Sequence, residues 1–243
     1  MISPDLSISN SGYMPELFHY CLCPQSRFAR LALAEYGVEA KLTEERVRER
    51  RHDFLLLNPA GEVPVLVLDD GAAICGAATI AEWLDETHGE QRGTRRLMPA
   101  KPEARAETRR LVDWFTRKFF AEVSDPIVTE KVYRRFTPPA LGGGGPDMDR
   151  IRFGRANIRP HLRYMGWLVA SRYWLAGEAL SLADLAAAAH LSSMDYLGDV
   201  PWDEDAAAKD WYQRMKSRPA LRALLAERLP RIVPPDHYGN PDF

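Results

Sequence analysis

The chain has 243 residues, 46% hydrophobic and 27% charged, a globular composition long enough to bury a core without disulfides or metals. Its 32 basic and 34 acidic residues leave a net charge of −2, so no global positive field draws in nucleic acid or anionic lipid. Three cysteines, Cys21, Cys23 and Cys75, make no disulfide framework and fit a reducing, cytoplasmic setting; no apolar run approaches the roughly 18 residues of a membrane helix.

The opening MISPDLSISNSGYMPE has neither a basic stretch nor an apolar one and reads as a loose leader, residues 1–15. Leu17–Tyr20 reads as a short strand, with Cys21 at its end facing the core. Pro24 marks a helix start, Phe28, Leu31, Ala32 and Glu35 keep helical spacing, and Gly37 stops the helix. Val38–Thr43 is a weak second strand. The charge run EERVRERR (Glu44–Arg51) opens a helical segment to Leu57. It reads as a solvated face, with a patch for an acidic partner as the sharper alternative. Asn58-Pro59-Ala60-Gly61 is a turn. Val65–Leu68 and Ala72–Cys75 form a hairpin around Asp69-Asp70-Gly71, and Thr79–Thr87 is a helix with Ile80, Trp83 and Leu84 on one face. This β-α-β-α-β-β-α order predicts a thioredoxin-like α+β domain over residues 16–90.

Residues 91–102 read as a linker that exits through Leu97-Met98-Pro99. Beyond it the strand signal vanishes, and residues 103–230 read as an all-helical domain. Glu103–Val123 and Met148–Ser171 are long helices separated by Thr137-Pro138-Pro139 and Gly142–Pro146. Ser181-x-x-Asp184 is close to a capping box ahead of a buried Ala-rich helix, Leu185–Met194. Shorter helices follow over Ala206–Arg218 and Pro219–Glu227. The tail, residues 231–243, has too many prolines for helix or central strand. Gly142–Gly145 lacks the Lys-Ser/Thr of a phosphate loop, and the histidines and cysteines do not have zinc spacing.

The alternation of β and α, the Val63-Pro64 after a turn, the Pro-ended linker, the helical second half and the Ser-x-x-Asp box together resemble the glutathione transferase superfamily over Leu17–Glu227. The resemblance implies a cis Val63-Pro64 bond that turns the Val63 backbone toward the cysteinyl part of glutathione; a plain X-Pro turn is the blander alternative. It places Cys23, in Cys23-Pro24-Gln25-Ser26, where the superfamily keeps its catalytic residue, as in its cysteine-using branches. The positive end of a helix dipole favours a thiolate at such a position. Ser26 is the alternative hydroxyl, and a small half-buried cysteine without chemistry is the bland reading. Trp114, Phe115 and Tyr133 would line an electrophile pocket.

One departure stands out. The superfamily carries an acid and a serine just before the helix that here contains Ile80, and they hold the γ-glutamyl end of glutathione. Counting back from Ile80, those positions are Gly76 and Ala77. Each lost hydrogen bond to a charged group is worth about 1.5–3 kcal/mol. Losing two weakens binding roughly a hundredfold or more. Glutathione is therefore expected to bind weakly or not at all. Thr79 is the nearest substitute hydroxyl, and Asp69 and Asp70 lie only a hairpin away.

The tail carries aromatic anchors between prolines, which suits a partner groove or the protein's own surface. Pro235, Asp236, His237, Tyr238 and Phe243 are its candidate protein-binding residues. A degraded ligand site together with such a tail resembles the FzlA-like, FtsZ-binding branch. The resemblance implies a homodimer that acts mainly as a protein-binding module in cell division. The competing expectation is a glutathione-dependent transferase or thiol transferase using Cys23. A structural dimer with neither role is the third.

Overall fold

Leu17 and Phe18 point to opposite faces of the first strand, and that alternation sets two layers around one sheet. The computed structural model describes residues 14–243, so the leader expectation lies almost wholly outside the described residues. Strand β1 (Glu16–His19) pairs in parallel with β2 (Lys41–Glu44) and antiparallel with β3 (Val65–Val67), which pairs antiparallel with β4 (Ala73–Cys75). The order β2-β1-β3-β4 is a mixed sheet. Leu17 is fully buried, and helices α1 (Pro24–Tyr36) and α3 (Ala77–His88) pack together. Phe18 meets Phe54 of the short helix α2 (His52–Leu57), ring centroids 5.7 Å apart.

Helix α1 starts and stops where its residues direct. Pro24 occupies the first turn, where its missing N–H costs nothing. Gly37 takes φ +71°, and the following Val38 N–H donates back to the Leu33 carbonyl at 2.9 Å. The charge run behaves differently from expectation. It breaks into a 3₁₀ turn at Val47–Glu49 and then α2, because Arg50 adopts a left-handed φ of +47°. No apolar stripe holds a continuous helix there. Instead the Arg51 guanidinium donates to the buried Glu45 carboxylate at 2.7 Å and folds the segment back. Cys21 is a second correction: it sits half-buried in a turn, and Leu22, at φ +56°, takes the core position.

The linker is tied to the first half by one carboxylate. Buried Asp85 accepts from Arg96 at 2.9 and 2.7 Å, from Tyr36 Oη at 2.8 Å and from the Met98 N–H at 3.2 Å. The second half is helical throughout. Helical turns α4 (Pro102–Asp113), α5 (Asp125–Val128) and α6 (Arg134–Phe136) run as one column through π-helical stretches at Trp114–Ser124 and Thr129–Tyr133. Helix α7 (Met148–Arg172) packs against it, and α8 (Leu182–Tyr196) is buried along its whole length. Helices α9 (Ala206–Lys216) and α10 (Pro219–Leu225) close the bundle. Helix α1 packs extensively on α8, so the two halves share one core.

The Ser181–Asp184 box is formed. Asp184, fully buried, accepts from the Ser181 N–H and Oγ–H, from the Leu175 N–H and from Trp211 Nε1 at 2.8–3.0 Å. Asp184→Ala leaves four donors unpaired in the core, and we expect a loss of about 3 kcal/mol in urea unfolding. A loss below about 1 kcal/mol would mean that water replaces the carboxylate.

Candidate functional site

A cleft of about 590 Å³ opens between the sheet-bearing half and the helical column. Its floor is the amino end of α1, one wall is the Val63-Pro64 turn and the start of α3, and the other is the column.

Val63-Pro64 is cis, as the resemblance implied, and both residues line the cleft. The Pro64 carbonyl accepts from the Gly76 N–H at 2.9 Å, which joins the turn to the start of α3. Neither the N–H nor the carbonyl of Val63 is hydrogen-bonded among the described residues, so this backbone is open to an extended ligand. Asn58 fixes the approach to the turn: its side chain donates to the Glu62 carbonyl at 2.8 Å and accepts from the Ala60 N–H at 3.2 Å.

Cys23 is the N-cap of α1 and lines the cleft at 7% exposure. Its Sγ accepts from the Ser26 N–H at 3.5 Å. The Ser26 hydroxyl points elsewhere: it is fully buried, accepts from the Tyr20 N–H at 3.2 Å and does not line the cleft. Tyr133 reaches the cleft from the column and packs on Tyr20, centroids 5.1 Å apart. Burial, and then the neighbouring Cys23, push the Tyr133 phenol well above its usual range.

The pocket expectation for Trp114 and Phe115 is corrected. Phe115 is fully buried beside Phe119, and Trp114 donates from Nε1 to His161 Nδ1 at 3.0 Å. The column instead presents Thr116, Phe120, Asp125, Thr129 and Tyr133 to the cleft. These residues recur every fourth or fifth position, and the five-residue step falls where the π-helical stretch ends. A widened turn shifts the inward face relative to a 3.6-residue period. Sequence spacing alone carries no mark of that shift.

Gly76 is the N-cap of α3 and forms no side-chain cap. Ala77, Ala78 and Thr79 supply the first turn, and all three line the cleft. Their amide groups and the helix dipole suit a carboxylate. No carboxylate lies in that turn to pair with an ammonium group. Asp69 and Asp70 are exposed in the hairpin turn and do not line the cleft; Asp70 accepts from the Ala72 N–H at 2.9 Å. The carboxylates that do line it went unnoticed in the sequence. Glu62 is exposed beside Val63, and Asp125 is held by Arg150 at 3.0 Å and Thr129 at 2.9 Å.

Gly76 has a backbone reason. It sits at φ +92°, a conformation side chains rarely adopt, although a Cβ there would meet only Thr79 Oγ1 at 3.8 Å. An acid at this position would cost about 1–3 kcal/mol of strain. That is close to what one charged hydrogen bond contributes, about 1.5–3 kcal/mol.

The tail does not hang free. A 3₁₀ turn, Asp236–Gly239, buries Tyr238 completely against Tyr196, centroids 5.0 Å apart. The Tyr238 hydroxyl accepts from Arg27 Nη1 at 3.0 Å; Arg27 lies buried on α1 and also donates to Ser192 Oγ at 2.9 Å. His237 Nε2 lies 2.9 Å from Asp195, whose other oxygen is 3.0 Å from the buried Lys216 ammonium. Phe243 stacks on His237 and meets Trp202 edge-on, centroids 5.1 Å apart in both pairs, and the Lys216 ammonium lies 3.8 Å from its ring centre. Tyr238, His237 and Phe243 are thus internal anchors, while Asp236 is exposed and Pro235 partly so. Of the two places the sequence offered for these anchors, a partner groove or the protein's own surface, the structure has them on its own surface.

Family comparison agrees with this geometry. Residues 17–92 match the glutathione S-transferase N-terminal domain and residues 159–219 the C-terminal domain. The chain belongs to the glutathione S-transferase superfamily. It is 44% identical over 230 residues to FtsZ-localized protein A of Caulobacter vibrioides, covering 93% of this chain and 97% of that one. It superposes on the structure of FzlA from C. crescentus with a TM-score of 0.86 at 43% identity, covering 95% of this chain and all of that one. A glutathione S-transferase from Sinorhizobium meliloti superposes at a TM-score of 0.93 with 50% identity and the same coverage. No helix of the described residues is long and apolar enough to cross a membrane, and among them no His, Cys, Asp and Glu cluster is placed to hold a metal.

Ala77→Ser restores one hydroxyl at the first turn of α3 without touching the backbone of Gly76. Retention on immobilised glutathione should rise about tenfold to a hundredfold. Unchanged retention would mean that residue 77 does not meet the ligand.

Proposed function

We propose that this protein is a homodimeric, glutathione transferase-like protein-binding module that engages FtsZ in cell division and has lost firm hold on glutathione. The observation that carries the reading is the bare entrance of α3, where Gly76 and Ala77 supply neither an acid nor a hydroxyl. A transferase that captures glutathione from dilute solution needs those contacts; a binding module does not. The similarity to FtsZ-localized protein A, over 93% of this chain and 97% of that one, supports FtsZ as the partner.

The docked tail changes how such a partner is met. Tyr238, His237 and Phe243 fix the segment, so Pro235 and Asp236 are presented on a rigid base. A preformed loop loses less entropy on binding than a free peptide. The dimer would bury large apolar side chains that are otherwise exposed. Leu56 on α2 is 72% exposed and Trp167 on α7 64%, one from each half of the fold. A two-fold dimer that sets the first half of one protomer on the helical half of its partner would cover both.

A second reading keeps Cys23 as a thiol-transfer nucleophile, because its thiol lines the cleft beside Tyr133. Turnover of a mixed disulfide with glutathione, abolished by Cys23→Ser, would establish it.

The leading reading is tested by sedimenting the full chain with FtsZ polymers while recording its mass in solution. We expect a dimer that pellets with FtsZ, and at least a severalfold loss of pelleting in the Pro235→Ala, Asp236→Ala double variant. A protein that stays in the supernatant at all FtsZ concentrations would overturn the assignment.

A further inference from the structure

A second groove, of about 500 Å³, lies away from the glutathione-type cleft and beside the tail. Its apolar surface comes from Met148, Ile151 and Leu197 of the helical half and from Ile232 and Val233 of the tail. Val233 is 89% exposed, which is unusual for a β-branched residue in a segment otherwise anchored by buried side chains. Gly144, Gly145 and Pro146 line another part of the groove. The glycine run thus has a place in the fold that its sequence did not reveal. A Cβ at Gly145 would meet nothing within 4 Å, so the backbone there is bare and approachable.

The charges at this groove are unbalanced. Lys131, Arg135 and Arg155 line it against a single lining carboxylate, Glu130. Lys131 and Arg155 share one buried acid from behind, Asp199, at 2.6 and 2.7 Å. Arg135 forms no ion pair among the described residues. Glu130 is occupied by the Asp147 N–H at 2.9 Å and flanked by Arg134 and Arg150 at 3.4 and 3.5 Å. Two lining cations sharing one acid, with a third unpaired, leave a net positive field over an apolar floor. Such a field selects an acidic partner and repels a basic one.

We propose that this groove binds an extended acidic segment of a protein partner, with apolar side chains seated on Met148, Ile151 and Val233 and carboxylates facing Arg135 and Arg155. The proposal rests on the partner-binding reading and adds a second contact surface to it. The tail loop and the groove meet at Val233, so a partner on Pro235 and Asp236 lies next to the groove mouth. Two weak contacts on one partner reinforce each other through effective concentration.

The test is fluorescence anisotropy of the full chain with a short labelled peptide in which Glu and Asp alternate with Leu and Ile. Its counterpart carries Lys at the acidic positions. We expect the acidic peptide to bind, to weaken as salt rises, and to lose about tenfold or more in affinity with Arg135→Glu. Gly145→Leu should block the groove and abolish binding while thermal unfolding stays unchanged. Equal binding of the two peptides, no binding of the acidic one, or binding indifferent to both substitutions would overturn the proposal. Sedimentation with FtsZ separates the two readings. Peptide binding without FtsZ pelleting sinks the FtsZ assignment and leaves the groove. FtsZ pelleting without peptide binding sinks the groove alone.

Discussion

A helix amino terminus holds an anion with backbone N–H groups alone, but an ammonium group needs an acceptor oxygen or an aromatic face, and pairs most firmly with a carboxylate. The glutathione-type cleft depends on that asymmetry. The open backbone of Val63, the Cys23 thiol at the start of α1 and the first turn of α3 at Ala77–Thr79 all line it. Residue 76 is glycine and offers no acid. The backbone there takes φ +92°, so glycine relieves strain that any other residue would carry. Strain relief and ligand recognition are similar in size, and they pull in opposite directions at this one position. Glycine is the unstrained choice at this backbone conformation.

The same fold that builds the cleft also builds a surface from its last residues. Arg27 projects from α1, the helix whose N-cap is Cys23, and meets Tyr238 and Ser192 in the shared core. A buried guanidinium needs partners on every side, and the tail supplies one of them. Tail docking is therefore part of the core rather than an addition to it. Anchoring Tyr238, His237 and Phe243 leaves Val233 and Asp236 exposed on a fixed loop beside a groove of opposite character to most acidic surfaces.

Much of this was legible from the chain, for physical reasons that differ by residue. The capping box at Ser181, the glycine stop at residue 37, the Val63-Pro64 turn and the hairpin at Asp70-Gly71 are local devices, decided by residues close together in sequence. The departure at Gly76 and Ala77 was visible because a helix start fixes register. Three things were not legible. The π-helical stretches moved the inward face away from Trp114 and Phe115, since they change the period that spacing arguments assume. The break at Arg50 accompanies the Arg51 pairing with buried Glu45, six residues back, whose burial no local pattern announces. The tail's aromatic residues showed that it would dock somewhere, but whether on itself or on a partner depended on the buried cations Arg27 and Lys216, whose burial the neighbouring sequence does not mark.

Calorimetric titration of glutathione into the intact protein tests the central claim most directly. With both γ-glutamyl contacts gone, the account predicts no saturation below about 1 mM. Saturable binding in the low micromolar range would show that some other group clasps the ammonium end, and it would contradict the reading of the cleft as a relic.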